Sequence, residues 1–476
     1  MVKNFLKFAI GAIATFVVGL LTTSILTRMI SPIEMGKASY VATVALLVIS
    51  VFYLGMDQCY IRFYYDVEQN SRSSLLLKCI KYPVIITTIF SVSSLLLYKW
   101  VTQELVGESS FLVCAFFVLR IYITLLDKFV ALSIRMKQMP VLYSIYSLAK
   151  KLGYLVVAII LYHRVFADSY KTLVVAIVIS EGIIFLITAI IDFDFKNCFK
   201  NNADIQDSTL LKYGLPFVLS TAITYIFHST DKFMLKYLSD YYQIGLYSGA
   251  HNIVNLLTQV QAVFLLFWSP IAYKHFSQQP EDREFYVKAN DIVTYFMMVI
   301  GLALVACKDY ISLLLGSQYR DAAFVFPFLA FMPIMYTISE TTVLGINFTK
   351  KTKIHIYIAL ISAVVNMIGN YYLILLYGAK GAAISTGLSY VVFFLLRTMF
   401  SQRLFPIPFH IGKIIAALVI TYSVGIVSSF MKTNLMLVIV DCVALLLLSI
   451  LYRNVLTEVK KYLAVHIKKF KEKKRL

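Results

Sequence analysis

The sequence predicts an all-α polytopic membrane protein, a bundle of about fourteen transmembrane helices. Three observations predict it. The chain of 476 residues is 60% hydrophobic and only 14% charged, with a mean hydropathy of +0.78; a soluble domain is nearer a quarter charged. Its apolar runs are about 18 to 25 residues long, the length a helix needs to cross ~30 Å of hydrocarbon. Its basic residues, which give a net charge of +19, collect in the segments between those runs. A transmembrane β-barrel would instead show short alternating segments.

In chain order the runs fall at roughly 8–30, 37–57, 80–98, 111–134, 141–162, 172–191, 213–238, 244–269, 288–307, 324–347, 354–377, 381–400, 411–431 and 435–452. The first, Phe8 to Ile30, is too long for the apolar core of a cleavable signal and is expected to be the first span. An even number of spans puts both termini on one side. With that side taken as cytoplasmic, about 28 Lys and Arg lie in cytoplasmic segments and about 10 at the other face, and roughly two to one remains when the C-terminal tail is left out. Both termini are therefore expected to be cytoplasmic. The tail, KKYLAVHIKKFKEKKRL, reads as a topology anchor or as a basic helix on anionic lipid.

The longest internal connection, Asp192–Leu211, is polar and reads as a linker between halves. The expected division is a six-helix lobe over 1–191, a cytoplasmic linker over 192–212, a second six-helix lobe over 213–401, two additional spans over 411–452 and a basic cytoplasmic tail over 453–476. The halves echo one another. LTRMISPIEMGKAS from Leu26 and LKYLSDYYQIGLYS from Leu235 align Leu26 with Leu235, Gly36 with Gly245 and Ser39 with Ser248. Repeats of equivalent orientation are related by an axis along the membrane normal.

Charges within the apolar runs are the strongest functional signal, because each costs about 2.5 to 3.5 kcal/mol at mid-bilayer unless it faces a cavity or a partner. Lys150 and Lys151 lie near the middle of the fifth run. They read as a cationic site for an anionic head group such as a diphosphate, or as charges satisfied by an acid on another helix. In the fourth run Arg120 and Asp127 are seven apart and share a face, with Lys128 beside it, and their partners are expected on other helices. The seventh run places His228, Lys232 and Lys236 on one stripe, with Asp231 three residues after His228. An Asp–His pair there fits a coupling proton; neutralisation of Lys232 is the plainer reading. Glu340, alone in the tenth run, is a candidate partner for a lysine of the other half or for a coupling cation. Asn252, Asn255 and Gln259 form one polar stripe and Asn366 with Asn370 another, suited to lining a cavity or to bonding between helices.

No catalytic constellation is present: there is no GxSxG, Walker loop, GxGxxG or HExxH. A transporter is expected, not an enzyme, with no cofactor. The basic charge is assigned to topology, which leaves nucleic acid out as a partner. The six cysteines, among them Cys198, are scattered without a CxxC and are expected to pack as small apolar residues.

Five segments give the chain a resemblance to a known family. These are LTRMISPIEMGKASY (26–40), LGMDQCYIRFYYD (54–66), STDKFMLKYLSDYYQIGLYSGAHNI (229–253), INFTKKTK (346–353) and VVNMIGNYYLILLYGAKGAAISTGLSY (364–390). Together they resemble the Wzx-type polysaccharide and oligosaccharide flippases, the O-antigen and capsule exporters of the MATE-like superfamily. Gly55 and Arg62 stand in familiar places in the second segment, and the third matches an Asp-Lys/Arg-x-Met-Leu followed by Gly-x-Tyr-Ser.

The resemblance implies two six-helix lobes around a V-shaped cavity, alternating access, and a home in the bacterial inner membrane. The implied cargo is an undecaprenyl-diphosphate-linked glycan, turned from the cytoplasmic to the outer leaflet for O-antigen, capsule or exopolysaccharide synthesis. Depth and charge, and no family motif, select the residues for it. Lys150, Lys151, Arg120 and Lys232 are the candidates for diphosphate or sugar contact, with Lys128 and Arg62 beside them. Asp231, His228 and Glu340 are candidates for coupling to H+ or Na+, and the membrane's own lipid and a polysaccharide polymerase are further expected partners. The rival cargoes are lipid II, and drugs in a multidrug or cation antiporter; a membrane-embedded polymerase is the rival from another class.

Overall fold

Uninterrupted apolar runs fold as helices in a bilayer because every backbone N–H and C=O must be satisfied within the segment. A computed structural model describes residues 2–192 and 204–458. Residues 193–203 of the expected linker, with Cys198, and 459–476 of the expected basic tail lie outside the described residues.

The chain is a succession of helices, with no strand among the described residues. They run α1 Val2–Met29, α2 Pro32–Phe52, α3 Met56–Phe63, α4 Arg72–Leu96, α5 Tyr98–Val106, α6 Phe111–Met136, α7 Pro140–Leu161, α8 Tyr170–Asp192, α9 Asp207–Leu238 and α10 Tyr241–Gln278. Then come α11 Glu284–Ala306, α12 Lys308–Ser312, α13 Phe326–Leu329, α14 Phe331–Thr342, α15 Leu344–Phe348, α16 Lys353–Tyr377, α17 Ala379–Leu404, α18 Ile411–Phe430 and α19 Leu435–Leu451. Ten helical segments of the described residues are long and apolar enough to cross a membrane. Two further candidates are bent pairs, α5 with α6 at 84° and Ser317–Phe324 with Phe326–Thr342 at 53°. Thr15–Met29 and α19 are shorter apolar helices.

Local chemistry sets the ends. Pro32 and Pro140 open α2 and α7, where a missing N–H costs nothing. The side chains of Ser110 and Asn434 cap α6 and α19 by accepting from the N–H of Val113 and Leu437.

Two expected runs are interrupted. The run at 37–57 stops at Phe52, because Leu54 (φ 51°) and Gly55 (φ 67°) turn left-handed before α3 begins. A Cβ at Gly55 would collide with the carbonyl oxygen of Gly214, so this turn lets two backbones touch. The run at 324–347 is divided into α13, α14 and α15, with Pro327 in the first turn of α13 and Pro333 near the start of α14.

The described chain packs as two compact units, 1–252 with 315–319, and 253–314 with 320–476. In the first, α6, α7 and α8 pack on one another, α1 lies on α7, and α8 and α9 both pack on α2. The start of α10 also closes on α2. A Cβ on Gly36 would strike the carbonyl oxygen of Tyr241, and one on Gly245 that of Pro32. One turn further in, the hydroxyls of Ser39 and Ser248 meet at 2.7 Å. Two of the three pairs that align between the sequence halves, Gly36 with Gly245 and Ser39 with Ser248, are thus in contact with each other. In the second unit α16 pairs with α17, α14 packs between α11 and α17, and α18 and α19 both lie on α11.

Candidate functional site

The site is built on facing surfaces of α6 and α7. Arg120 and Asp127 share one face of α6, as their spacing requires. Tyr146, Lys150 and Tyr154, four residues apart, share one face of α7. Asp127 takes both a hydrogen bond from the Tyr146 hydroxyl and an ion pair from Lys150 at 2.7 Å. The expected partners of Asp127 on another helix are therefore Tyr146 and Lys150, and the acid that satisfies Lys150 is Asp127.

Two turns along α6, Arg120 has no such acid. Its side chain is 9% exposed, its Nε lacks a hydrogen-bond partner, and it forms no ion pair among the described residues. It lines a cavity of about 130 Å³ together with Tyr154, Ser39, Ser248 and Asn252, walled on the apolar side by α2 and α8. A guanidinium offers five donors and stays charged, so an enclosed one with spare donors beside a polar cavity suits a carboxylate or phosphate oxygen.

Lys232 reaches the rim of the same cavity. Its Nζ donates to the Ser39 hydroxyl at 2.8 Å, and that hydroxyl is shared with Ser248. Asp231, beside it in sequence, is buried and accepts from the Tyr247 hydroxyl. It is also in electrostatic range of His228 and Lys232. Tyr247 in turn stacks on His251, ring centroids 6.2 Å apart.

The structure thus gathers Arg120, Lys232 and Asn252 at one place and Lys150 on the same face of α7 as the cavity-lining Tyr154. Lys151 turns the other way: its Nζ donates to the Thr15 carbonyl at 3.2 Å and packs over Gly19. Lys128 approaches the largely buried Asp57 at 3.9 Å, and Arg62 pairs with Asp66 at 2.7 Å on exposed surface. In the second unit Glu340, a candidate partner for a lysine of the other half or for a coupling cation, pairs at 2.7 Å with Arg397 of its own unit. Asn370 donates to Asn366 at 3.1 Å, and the Ser385 hydroxyl of α17 donates to the Asn366 carbonyl at 2.9 Å, which ties α16 to α17. Asn255 and Gln259 follow on α10 in the second unit, Gln259 exposed.

Sequence reasoning passed over Glu181, Arg397 and Asp441. Glu181 on α8 lies in electrostatic range of Arg120, Lys150 and Asp127. Each is a single charge inside an apolar run, the same signal that singled out Lys150. Tyr154 and Tyr247 carried no signal, because tyrosine is common throughout this chain. Among the described residues no three His, Cys, Asp or Glu stand close enough to hold a metal ion.

Residues 1–274, more than half of the chain, match the family model described as "Polysaccharide biosynthesis protein". No curated protein matches the chain. Among solved structures, a lipid II flippase MurJ in an inward closed conformation superposes with a TM-score of 0.71 at 15% identity, over 94% of this chain and 99% of that one. An inward-facing multidrug resistance MATE family transporter of the MOP superfamily superposes with a TM-score of 0.59 at 12% identity, over 87% and 99%. At these identities the likeness is one of fold: the chain has the helical fold shared by MurJ and the MATE transporters.

Proposed function

This chain is a member of the polysaccharide biosynthesis protein family, and from that premise we propose that it is a flippase for undecaprenyl-diphosphate-linked oligosaccharide. It would carry repeat units of O-antigen, capsule or exopolysaccharide from the cytoplasmic to the outer leaflet of the bacterial inner membrane, by alternating access. The family and the multi-pass fold support transport of a lipid-linked glycan. The observation that carries the choice of an anionic head group is Arg120, enclosed, with no acid in direct contact and open to a polar cavity.

A diphosphate moving through a membrane interior needs fixed cations where attraction is little screened. Arg120 is assigned the first contact, with Lys232 released from Ser39 as the second and Lys150 exchanging Asp127 for the cargo as the third. Asn252 and the paired serines would bond sugar hydroxyls or donate to phosphate oxygens. The cavity accommodates a small anionic group, so the glycan and the prenyl chain would extend beyond it. Asp231 with His228, and Glu340, remain the candidates for H+ or Na+ coupling, and a polysaccharide polymerase is the natural recipient of the product.

The fold likeness to a lipid II flippase favours one second reading, since lipid II is also a prenyl-diphosphate glycan. The test is extraction of lipid-linked glycans from cells depleted of the protein, resolved by mass and by leaflet. Completed oligosaccharide units accumulating on the cytoplasmic side are the expected result. Accumulation of lipid II would transfer the assignment to peptidoglycan synthesis, and no change in any lipid-linked glycan would overturn both.

A further inference from the structure

Asp441 is a charge that none of these roles uses. It is the only charged residue of α19, in the run LMLVIVDCVALLLLSIL. Leu437, Asp441, Ala444 and Leu448 are buried and spaced for one helix face, and α19 packs on α11 and α18. Asp441 therefore faces protein and not lipid. It is 5% exposed, and neither carboxyl oxygen has a hydrogen-bond partner among the described residues.

The titratable groups of the two helices against it are distant or already engaged. On α11, Tyr295 meets the Ser449 hydroxyl at 3.3 Å, and Ser449 is eight residues past Asp441, roughly 12 Å along the axis. The charged residues of α11 all precede Tyr295 and lie further still: Glu284 pairs with Lys288 at 2.8 Å, and Asp291 takes His410 at 2.9 Å. Tyr286 donates to the Ala272 carbonyl at 3.1 Å. On α18 the single charged residue is Lys413 in the first turn. Residues 431–434 join the far end of α18 to the start of α19, so Lys413 and Asp441 are roughly 15 Å apart along the axis at the rise of an α-helix. Tyr422 of α18 donates to the Ile384 carbonyl at 3.3 Å.

We propose that Asp441 is a proton-binding site, and that the exchange of its proton with bulk water couples the last two helices to the proton gradient. An enclosed carboxylate with neither a cation nor a donor is strongly unfavourable. A lone acid in that position is compensated by a proton, which needs no second ligand. Movement of α18 and α19 that admits water to the carboxyl would release it, so proton and conformation are linked. The inference goes beyond the cargo assignment, and the first part of its test is independent of it.

That first part is infrared difference spectroscopy of the full chain in nanodiscs, read at the carbonyl stretch of un-ionised carboxylic acid. The wild type is expected to show a band at neutral pH that shifts in D2O, titrates with bulk pH and disappears in Asp441→Asn. Asp441→Leu, which suits the apolar surroundings, carries the same comparison should the asparagine variant fold poorly. No band, a band that survives both substitutions, or one that ignores bulk pH would overturn the proposal. The second part is transfer of lipid-linked glycan in proteoliposomes under an imposed pH gradient. Asp441→Asn is expected to transfer cargo yet lose the several-fold response to the gradient; an undiminished response would overturn the coupling role. If the wild type transfers no such glycan, the cargo reading fails, while the band still decides proton binding.

Discussion

Two arginines are almost equally hidden in this molecule and are held in different ways. Arg120 is 9% exposed and Arg397 is 6% exposed. Arg397 donates to Glu340 at 2.7 Å and to the Ser339 hydroxyl at 2.6 Å, and its guanidinium lies over the rings of Tyr336 and Phe393. Arg120 has a cavity in place of an acid. The contrast extends to the lysines. In the second unit Lys308, fully buried, donates to the Met431 carbonyl at 2.6 Å and lies 3.6 Å from Asp309. In the first unit Lys232 donates to a serine hydroxyl and Lys151 to a carbonyl, and only Lys150 of the cations near the cavity has an acid in direct contact. A cation paired with an acid can meet an incoming anion only by giving that acid up, whereas one held by neutral groups has no such partner to lose.

The largest expected effect comes from removing a cation paired with an acid. Arg397→Met leaves Glu340 ionised and enclosed without its partner, at a cost of about 3–5 kcal/mol. Thermal unfolding of the purified protein should show a clearly lowered midpoint. Adding Glu340→Leu should recover most of it, because a buried pair exchanged for packed apolar groups is close to neutral. A double variant as unstable as the single one would mean that the arginine acts through Tyr336 and Phe393 instead.

Arg120→Gln should do the reverse. No acid in contact is orphaned, so the unfolding midpoint should stay near that of the wild type. Loss of a charge-assisted bond to cargo is worth about 1.5–3 kcal/mol, roughly ten- to a hundredfold in transfer of lipid-linked glycan. Transfer in proteoliposomes, with surface polysaccharide in cells as a second readout, measures it. A large drop in stability with normal transfer would erase the distinction between the two arginines.

Much of this was legible in the sequence. Runs of the right length locate the long helices, although α4 begins well before the expected residue 80 and α10 runs well past the expected residue 269, and the spacing of Arg120 and Asp127 puts them on one face. What could not be read is which side chains meet across helices. That Lys150 finds Asp127 while Lys151 finds only Thr15 depends on the rotation of α7 about its axis, and both lysines look alike in one dimension. The breaks after Phe52 and around Pro333 were hidden because hydropathy does not register a backbone turn. Ser39 and Ser248 could be aligned as repeats, yet their contact needs the two helices to cross at Gly36 and Gly245. Glu181, Arg397 and Asp441 were readable by the rule that found Lys150: a charge inside an apolar run needs a reason.

The smallest effect tests the acid-held side of the comparison by pH. Asp309 lies in the short α12, between the membrane-spanning segments. Burial pushes its carboxyl up, but hydrogen bonds from Thr433, whose N–H donates at 2.6 Å, and the neighbouring Lys308 ammonium outweigh burial and hold it below the ordinary carboxylate range. A lowered acid binds its proton more weakly folded than unfolded, so its contribution to stability is complete above the unfolded value of about 3.9 and is lost as pH falls through the folded one. For a partly exposed group the amount is on the order of 0.5 kcal/mol. Asp309→Asn should therefore unfold slightly below the wild type at neutral pH, and the two midpoints should converge as the acid is protonated. A gap that persists at acid pH would show that Asp309 holds the end of α18 by shape and not by charge, and the contrast between acid-held and neutrally held cations would then rest on Arg397 alone.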